Sequence, residues 1–337
     1  MTPVSNKGIG SFSSSGKFNV YGNIMSIYYG DDFIGQTDLT GKNYAFYKLF
    51  YQCSKLINAE NIILQAKILY DYCYSFMFSG CLSLTKAPEL PATTLASYCY
   101  FQMFGSCYSL TTAPELQAST LKTGCYNYMF NLCSSLTKAP DLPATTLAGY
   151  CYTYMFSSCS SLTTTPELKA TTLTPSCYRG MFSGCTSLTE APDLPATKLA
   201  SYCYNGMFSG CTSLTEAPDL PATTLADSCY YRMFFRCQNL RYVKCLATDI
   251  SATDCLTDWL DGTMLLGTFI TAENKPAYES GTSGIPLGWT SYTESQYEEV
   301  RHYELENKVS SSTSGLNIEV VNALPETPAE NTIYVII

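Results

Sequence analysis

The sequence is short of several things that chemistry at a site usually needs. Among 337 residues there is one histidine, His302, and two tryptophans, and only 14% of residues are charged. Basic residues are the minority: 19 Lys and Arg stand against 28 Asp and Glu, for a net charge of −9 and a pI near 4.7. That is the wrong sign for a surface that tracks phosphates, which excludes nucleic acid as a partner. No apolar run approaches the roughly 20 residues that a spanning helix needs, so no membrane insertion is expected. The opening MTPVSNKGIGSFSSSGK lacks the basic-then-apolar order of a secretory leader. The expectation is a chain made and used without Sec export, or one whose leader has been removed. There is no G-x-S-x-G, no phosphate-cradling glycine loop and no carboxylate pair standing apart from a repeat. These absences point to a non-enzymatic protein without cofactor or metal. His302 lies in YTESQYEEVRHYELENK with Glu298 four residues before it, a helix-surface position by default.

What the chain has is cysteine, seventeen in all. One series falls at Cys73, Cys99, Cys125, Cys151, Cys177, Cys203 and Cys229, in steps of 26, and Cys255 continues it. A second runs Cys81, Cys107, Cys133, Cys159, Cys185, Cys211 and Cys237, again in steps of 26. Ala45–Cys53 (AFYKLFYQC) is a degenerate first copy offset by 28, and Cys255–Thr263 (CLTDWLDGT) a degenerate last copy in register. Only Cys245 stands outside. So exact a period predicts a solenoid, in which no unit buries its apolar face alone but the stack does.

One unit reads C-Y-x-x-M-F-x-x-C-x-S-L-T-x-A-P-[ED]-L-x-A-T-T-L-A-x-x. Cys99, Met103 and Cys107 recur at i, i+4 and i+8, with Tyr100 and Phe104 beside them. On a helix these residues cover an arc of roughly 140°. The spacing therefore predicts a short amphipathic helix per unit. Ser109 to Pro114 reads as a short extended segment, closed by the proline. The fold class is an α/β repeat solenoid of 26-residue strand-plus-short-helix units with β-rich caps.

The stretch M-F-S-G-C-T-S-L-T resembles the A-F-x-x-C-x-x-L-T signature of BspA-like leucine-rich repeats, over about residues 44–262. The resemblance implies a leucine-rich-repeat-like curved array with a parallel sheet on its concave face. The unit here is longer than that family's, around the C-Y element.

Geometry on such helices argues against disulfides. Cys203 and Cys211 would be about 12 Å apart along a helix, past the roughly 7 Å Cα limit. Cys203 and Cys229 would sit on helices about 8–10 Å apart, again too far. Structural zinc prefers four converging ligands in C-x₂₋₄-C spacing, which is absent. The expected role is a pair of ladders of buried, free thiols, which fits a reducing compartment.

Other positions recur with the period. Glu89, Glu115, Asp141, Glu167, Asp193 and Asp219 form an acidic row, read as a solvated edge partly compensated by Lys86 and Lys138 three residues before their acids. Tyr74 to Tyr230 form an aromatic ladder, read as packing. The candidate binding positions are those on the strand that vary from unit to unit: Lys86, Thr112, Lys138, Thr164, Glu190 and Glu216.

Residues 1–43 read as an N-terminal cap, 44–262 as the solenoid and 263–290 as a C-terminal cap in which Phe269 and Trp289 cover the last unit. Similar G-T-F…S-G-I-P…G-W-T ends follow BspA-like arrays. Residues 291–337 read as a helix plus a β-hairpin attachment segment. Glu298, Arg301, Glu304 and Lys308 are expected on its solvent face, and Ile333, Val335 and Ile337 are expected to be buried against a partner as assembly residues. Its A-L-P-x-[TS]-P-x-x-N-T-I-Y-V pattern resembles a segment of bacteriophage tail and other virion proteins. The expected function is a phage virion, tail-associated protein that displays the solenoid for host-surface recognition. The alternative is a bacterial cell-surface BspA-like adhesin whose export signal has been removed. The expected partners are a host-surface protein or glycan, and other virion proteins or a second copy through the C-terminal segment.

Overall fold

The computed structural model describes residue 12, residues 14–312 and the strands at 317–321 and 332–336, with side chains described to residue 303. The described chain divides into two compact units, between Ser291 and Tyr292. In the first, repeating aromatic and cysteine coils of 26 residues stack through parallel backbone bonds, consistent with a repeat solenoid.

The cysteine-bracketed stretch is not a helix. In the copy ending at Cys81, the amides of Cys73, Ser75, Met77, Ser79 and Cys81 donate three residues back, to Tyr70, Tyr72, Tyr74, Phe76 and Phe78. The intervening amides of Tyr72, Tyr74, Phe76, Phe78 and Gly80 donate instead to Ser97, Cys99, Phe101, Met103 and Gly105 of the next coil, at 2.8–3.1 Å. The result is a ribbon of overlapping four-residue turns. Every fourth residue has positive φ: Tyr72 at 57°, Phe76 at 56° and Gly80 at 76°. That is what the third position of a type II turn requires. The same alternation runs through every copy up to the last, where Arg236 donates to Asp261. A four-residue turn repeat places i, i+4 and i+8 on one face, just as a helix nearly does. The periodicity alone does not separate the two.

A left-handed conformation costs an L-residue roughly 1–2 kcal/mol. Here it is offset by a bond to the next coil for each alternate amide and by the core. Cys125, Tyr126, Met129, Phe130, Cys133 and Leu136 are all fully or almost fully buried, as are their counterparts along the array. Phe104 and Phe130 stack with centroids 5.6 Å apart, and Tyr100 and Tyr126 at 5.7 Å. Burying each such ring contributes roughly 1.5–3 kcal/mol.

After the ribbons the chain makes brief parallel bridges that fall in two columns, with gaps at some coil-to-coil steps. One column runs through Asn58, Lys86 and Thr112, then Lys138 and Thr164, then Glu216 and Tyr242. The other includes Asp38, Ile68 and Thr94, then Thr120 and Thr146, then Thr172 and Lys198. The pairing lengthens into regular strands near the ends. β1 (Phe18–Asn23) pairs in parallel with β2 (Leu56–Ile63), and β3 (Tyr242–Cys245) with β4 (Gly267–Thr271), after which β5 (Trp289–Thr293) follows in the chain. A short helix α1 (Ser26–Tyr29) follows β1 and sets Tyr28 edge-on against Phe46 at 5.0 Å. At the other end Trp259 stacks on Tyr230 at 6.2 Å, Phe269 lies edge-on to Trp259 at 5.9 Å, and the Trp289 indole donates to Met264.

All seventeen cysteines are free and buried. Neighbouring coils are bonded backbone to backbone, closer than packed helices would be, so helix spacing is not what keeps the thiols apart. The thiols are held otherwise. Each member of the second series donates to the carbonyl of a phenylalanine in the preceding coil, 31 residues back for Cys81 to Phe50 (3.0 Å) and 29 residues back for the others, as in Cys133 to Phe104 (3.2 Å) and Cys237 to Phe208 (3.0 Å).

The second unit holds helix α2 (Glu294–Ser312) and strands β6 (Asn317–Val321) and β7 (Thr332–Ile336). β6 and β7 pair in parallel, Asn317 opposite Thr332 and Val321 opposite Ile336. The expected hairpin is therefore not formed.

Candidate functional site

The proline of each unit fixes where the exposed column begins. Pro88, Pro140, Pro166, Pro192 and Pro218 are buried, the following acid points to solvent, and the leucine after it returns to the core. This alternation leaves the residue two before each proline exposed, and all of these but Glu190 take part in the first bridge column.

Lys86, Thr112, Lys138, Thr164, Glu190 and Glu216 are all exposed. Lys86 bridges to Thr112, Lys138 to Thr164, and Glu216 to Tyr242, so the stripe runs along the stack with parallel-strand neighbours about 4.8 Å apart. Lys86 does not turn to Glu89. Its ammonium reaches Glu60 of the preceding coil at 2.8 Å. That bond, with the Asn58 amide, holds the Glu60 carboxyl below its ordinary value. Lys169 pairs with Glu167 at 3.4 Å and Lys244 with Asp219 at 3.3 Å. The acidic row is exposed along its whole length.

Two hollows open on this face. The larger, about 640 Å³, is bordered by Lys67, Glu89, Pro91, Pro114, Glu115 and Gln117 among others. The smaller, about 330 Å³, joins Thr112 and Lys138 of the stripe to Glu115, Pro140 and Asp141. Stripe and acidic row thus belong to one surface.

No family model, curated protein or solved structure matches the chain. The geometry must speak for itself.

A second surface was not anticipated from the sequence. Tyr44, Tyr72 and Tyr98 stack at 4.9 and 5.1 Å on the outer side of the turn ribbon, and Tyr128 and Tyr154 at 4.9 Å. Lys48 sits over Tyr47, Tyr51 and Phe76 at 4.9–5.3 Å. Each stacked tyrosine occupies a positive-φ position. The signal was present as Y-C-Y at 72–74 and 98–100 for the first stack, and as tyrosine three residues after Cys125 and Cys151 for the second. A helix reading hides it, because it treats the first tyrosine as unremarkable surface.

The thiols are poor reagents. Burial pushes Cys73, Cys159 and Cys237 up to about 12, and Cys245 to about 11. The thiolate is the reactive species, so such groups are chemically quiet near neutrality. Among the described residues, no group of three or more His, Cys, Asp or Glu is placed to hold a metal ion, and no helix is long and apolar enough to cross a membrane.

The side chains of Glu304 and Lys308 lie outside the described residues. So do those of Ile333 and Val335, whose backbones belong to β7, and the whole of Ile337. Arg301 and Glu298 pair at 3.4 Å on α2.

Proposed function

We propose that the protein is a non-enzymatic binding protein whose stacked coils form a leucine-rich-repeat-like curved array, and that the face carrying Lys86, Thr112, Lys138, Thr164, Glu190 and Glu216 meets a host-surface protein or glycan. The observation that carries this reading is a contrast within each unit. The buried positions repeat almost without change, while the exposed column changes from Lys and Thr to Glu along the same backbone. A rigid scaffold with one varied line is what recognition by a repeat protein uses.

The protein is proposed to be a tail-associated phage virion protein, with residues 291–337 attaching it to other virion proteins or to a second copy. The resemblance of the C-terminal segment to virion proteins supports this, and the free thiols fit assembly in a reducing cytoplasm. The bacterial cell-surface adhesin is the second reading, favoured by the M-F-S-G-C-T-S-L-T resemblance to BspA-like repeats. Mass spectrometry of purified particles separates the two: the chain is expected in intact virions, and its recovery only from cell envelopes would establish the second reading. A truncation ending at Thr290 is expected to stay folded and keep ligand binding while losing particle association. Loss of folding would make residues 291–337 a cap instead.

A further inference from the structure

The six full copies of the P-[ED]-L-x-A segment differ at x. The residue there is Pro91, Gln117, Pro143, Lys169, Pro195 or Pro221. Lys169 is engaged by Glu167. Gln117 is exposed and borders the 640 Å³ hollow, facing it together with Pro91 of the neighbouring coil. The larger of these two hollows therefore coincides with the copy in which an amide replaces a proline ring.

We propose that this hollow is a sugar-binding subsite that accepts one ring of a neutral or N-acetylated hexose within a glycan. The inference rests on the reading that this face binds a surface ligand, and narrows what that ligand is. Pyranose rings present apolar C–H faces and a rim of hydroxyls. Pro91 and Pro114 offer apolar walls whose backbones are already restricted in φ, so the hollow needs little ordering on binding. Its volume lies within the span of about 300–1,000 Å³ usual for small-molecule sites. Glu89 and Glu115 supply carboxylates that accept paired hydroxyls. Gln117 both donates and accepts, which suits a hydroxyl or an acetamido group. Two carboxylates against the single ammonium of Lys67 leave the rim net negative, which disfavours phosphate, sulfate and sialic acid. A cationic peptide is the less suited occupant, because Lys67 stands in the wall it would have to line.

The array itself supplies the test. Proline is native at this position in four sister copies, so Gln117→Pro is compatible with the fold. The full chain is titrated calorimetrically with chitotriose, lactose, sialyllactose and tetralysine. Chitotriose or lactose is expected to bind, and sialyllactose about tenfold more weakly; Gln117→Pro and Gln117→Ala are each expected to weaken the neutral sugar about tenfold. Pro143→Gln, made in the wild-type background, is expected to add a second site. Failure of both neutral sugars to bind, an unchanged affinity in both Gln117 variants, or binding of tetralysine alone would overturn the proposal. Host-cell adhesion of the same proteins separates this outcome from failure of the broader reading: wild-type protein that adheres while Gln117→Pro adheres equally removes the subsite and leaves the adhesin.

Discussion

The Cys185 thiol donates to the carbonyl oxygen of Phe156 in the preceding coil, 3.2 Å away, and the same oxygen accepts the amide of Cys159 within its own turn. One carbonyl thus uses both lone pairs, one inside the coil and one between coils. Cysteine suits the slot because it is apolar enough to be buried and still carries a weak donor. Alanine keeps the first property and loses the second. Cys185→Ala is expected to lower stability by about 1–2 kcal/mol, from a lost hydrogen bond and a small void. Urea denaturation would show it, and a loss under about 0.3 kcal/mol would mean that the thiol contributes nothing beyond its volume.

Labelling should follow the same logic. Without reductant, denatured protein is expected to expose all seventeen thiols to an alkylating reagent, while native protein near neutrality reacts slowly and only through opening. Intact-mass spectrometry counts the adducts. Bridges surviving in the denatured, unreduced protein would contradict the free-thiol core.

Alkaline pH should destabilise the array. Burial raises Cys159, Cys177 and Cys237 from 9.0 to about 12. Between these values the unfolded chain has released protons that the folded chain still holds, so ionisation favours unfolding. The stability is fully present below about pH 9 and declines as pH rises towards about 12. Urea midpoints measured at steps through that range should be level at first and then fall. A level midpoint throughout would show that the thiols titrate freely in the fold.

Two glycines separate conformational from steric cost. Gly180 and Gly206 have φ of 59° and 61° in equivalent coil positions. A Cβ at Gly180 would lie 2.1 Å from the Tyr154 ring, whereas one at Gly206 meets nothing within 4 Å. Gly206→Ala is expected to cost about 1 kcal/mol, the left-handed penalty alone, and Gly180→Ala more, because Tyr154 must also leave its place. Equal losses would show that Tyr154 moves freely.

Phe182 stacks between Phe156 and Phe208 at 5.8 Å on each side and is fully buried. Phe182→Ala is expected to cost about 3–5 kcal/mol. In hydrogen exchange, the loss of protection should be largest in the coils on either side, since each coil rests on its neighbours. Loss spread evenly to both caps would mean that the array unfolds as one block.

Much of this fold was legible in the sequence. The period, the buried Cys-Tyr-Met-Phe-Cys set and the exposed column follow from residue types at fixed offsets, because identical coils must bury identical positions. The turn ribbon was not legible from hydrophobicity, since Cys99, Met103 and Cys107 satisfy a helix equally well. The contrary signal was glycine at four-residue intervals, Gly180 with Gly184 and Gly206 with Gly210, which a helix does not favour. The parallel pairing of β6 with β7 was missed because short apolar strands carry no mark of direction. The hollow at Gln117 was missed for another reason. It is lined by Pro91 and Gln117 of adjacent coils together, and coil spacing is not written in either unit alone.

The alternating amides of the turn ribbon have one more effect. Those that bond between coils all point towards the later coil, and their partner carbonyls point back, from Phe46 donating to Cys73 at the start to Phe234 donating to Trp259 at the end. Each such peptide carries a dipole of about 3.5 D, and here the dipoles add along the stack as they do along a helix. The first coil is therefore the negative pole and the last the positive one. The first coil carries Lys42, Lys48 and Lys55 against Asp38 and Glu60, and the last carries Asp254, Asp258 and Asp261, of which Asp258 also pairs with Arg232 of the coil before. Interior coils are interchangeable with respect to this field, but the two end coils are not: each bears the charge that its own pole attracts.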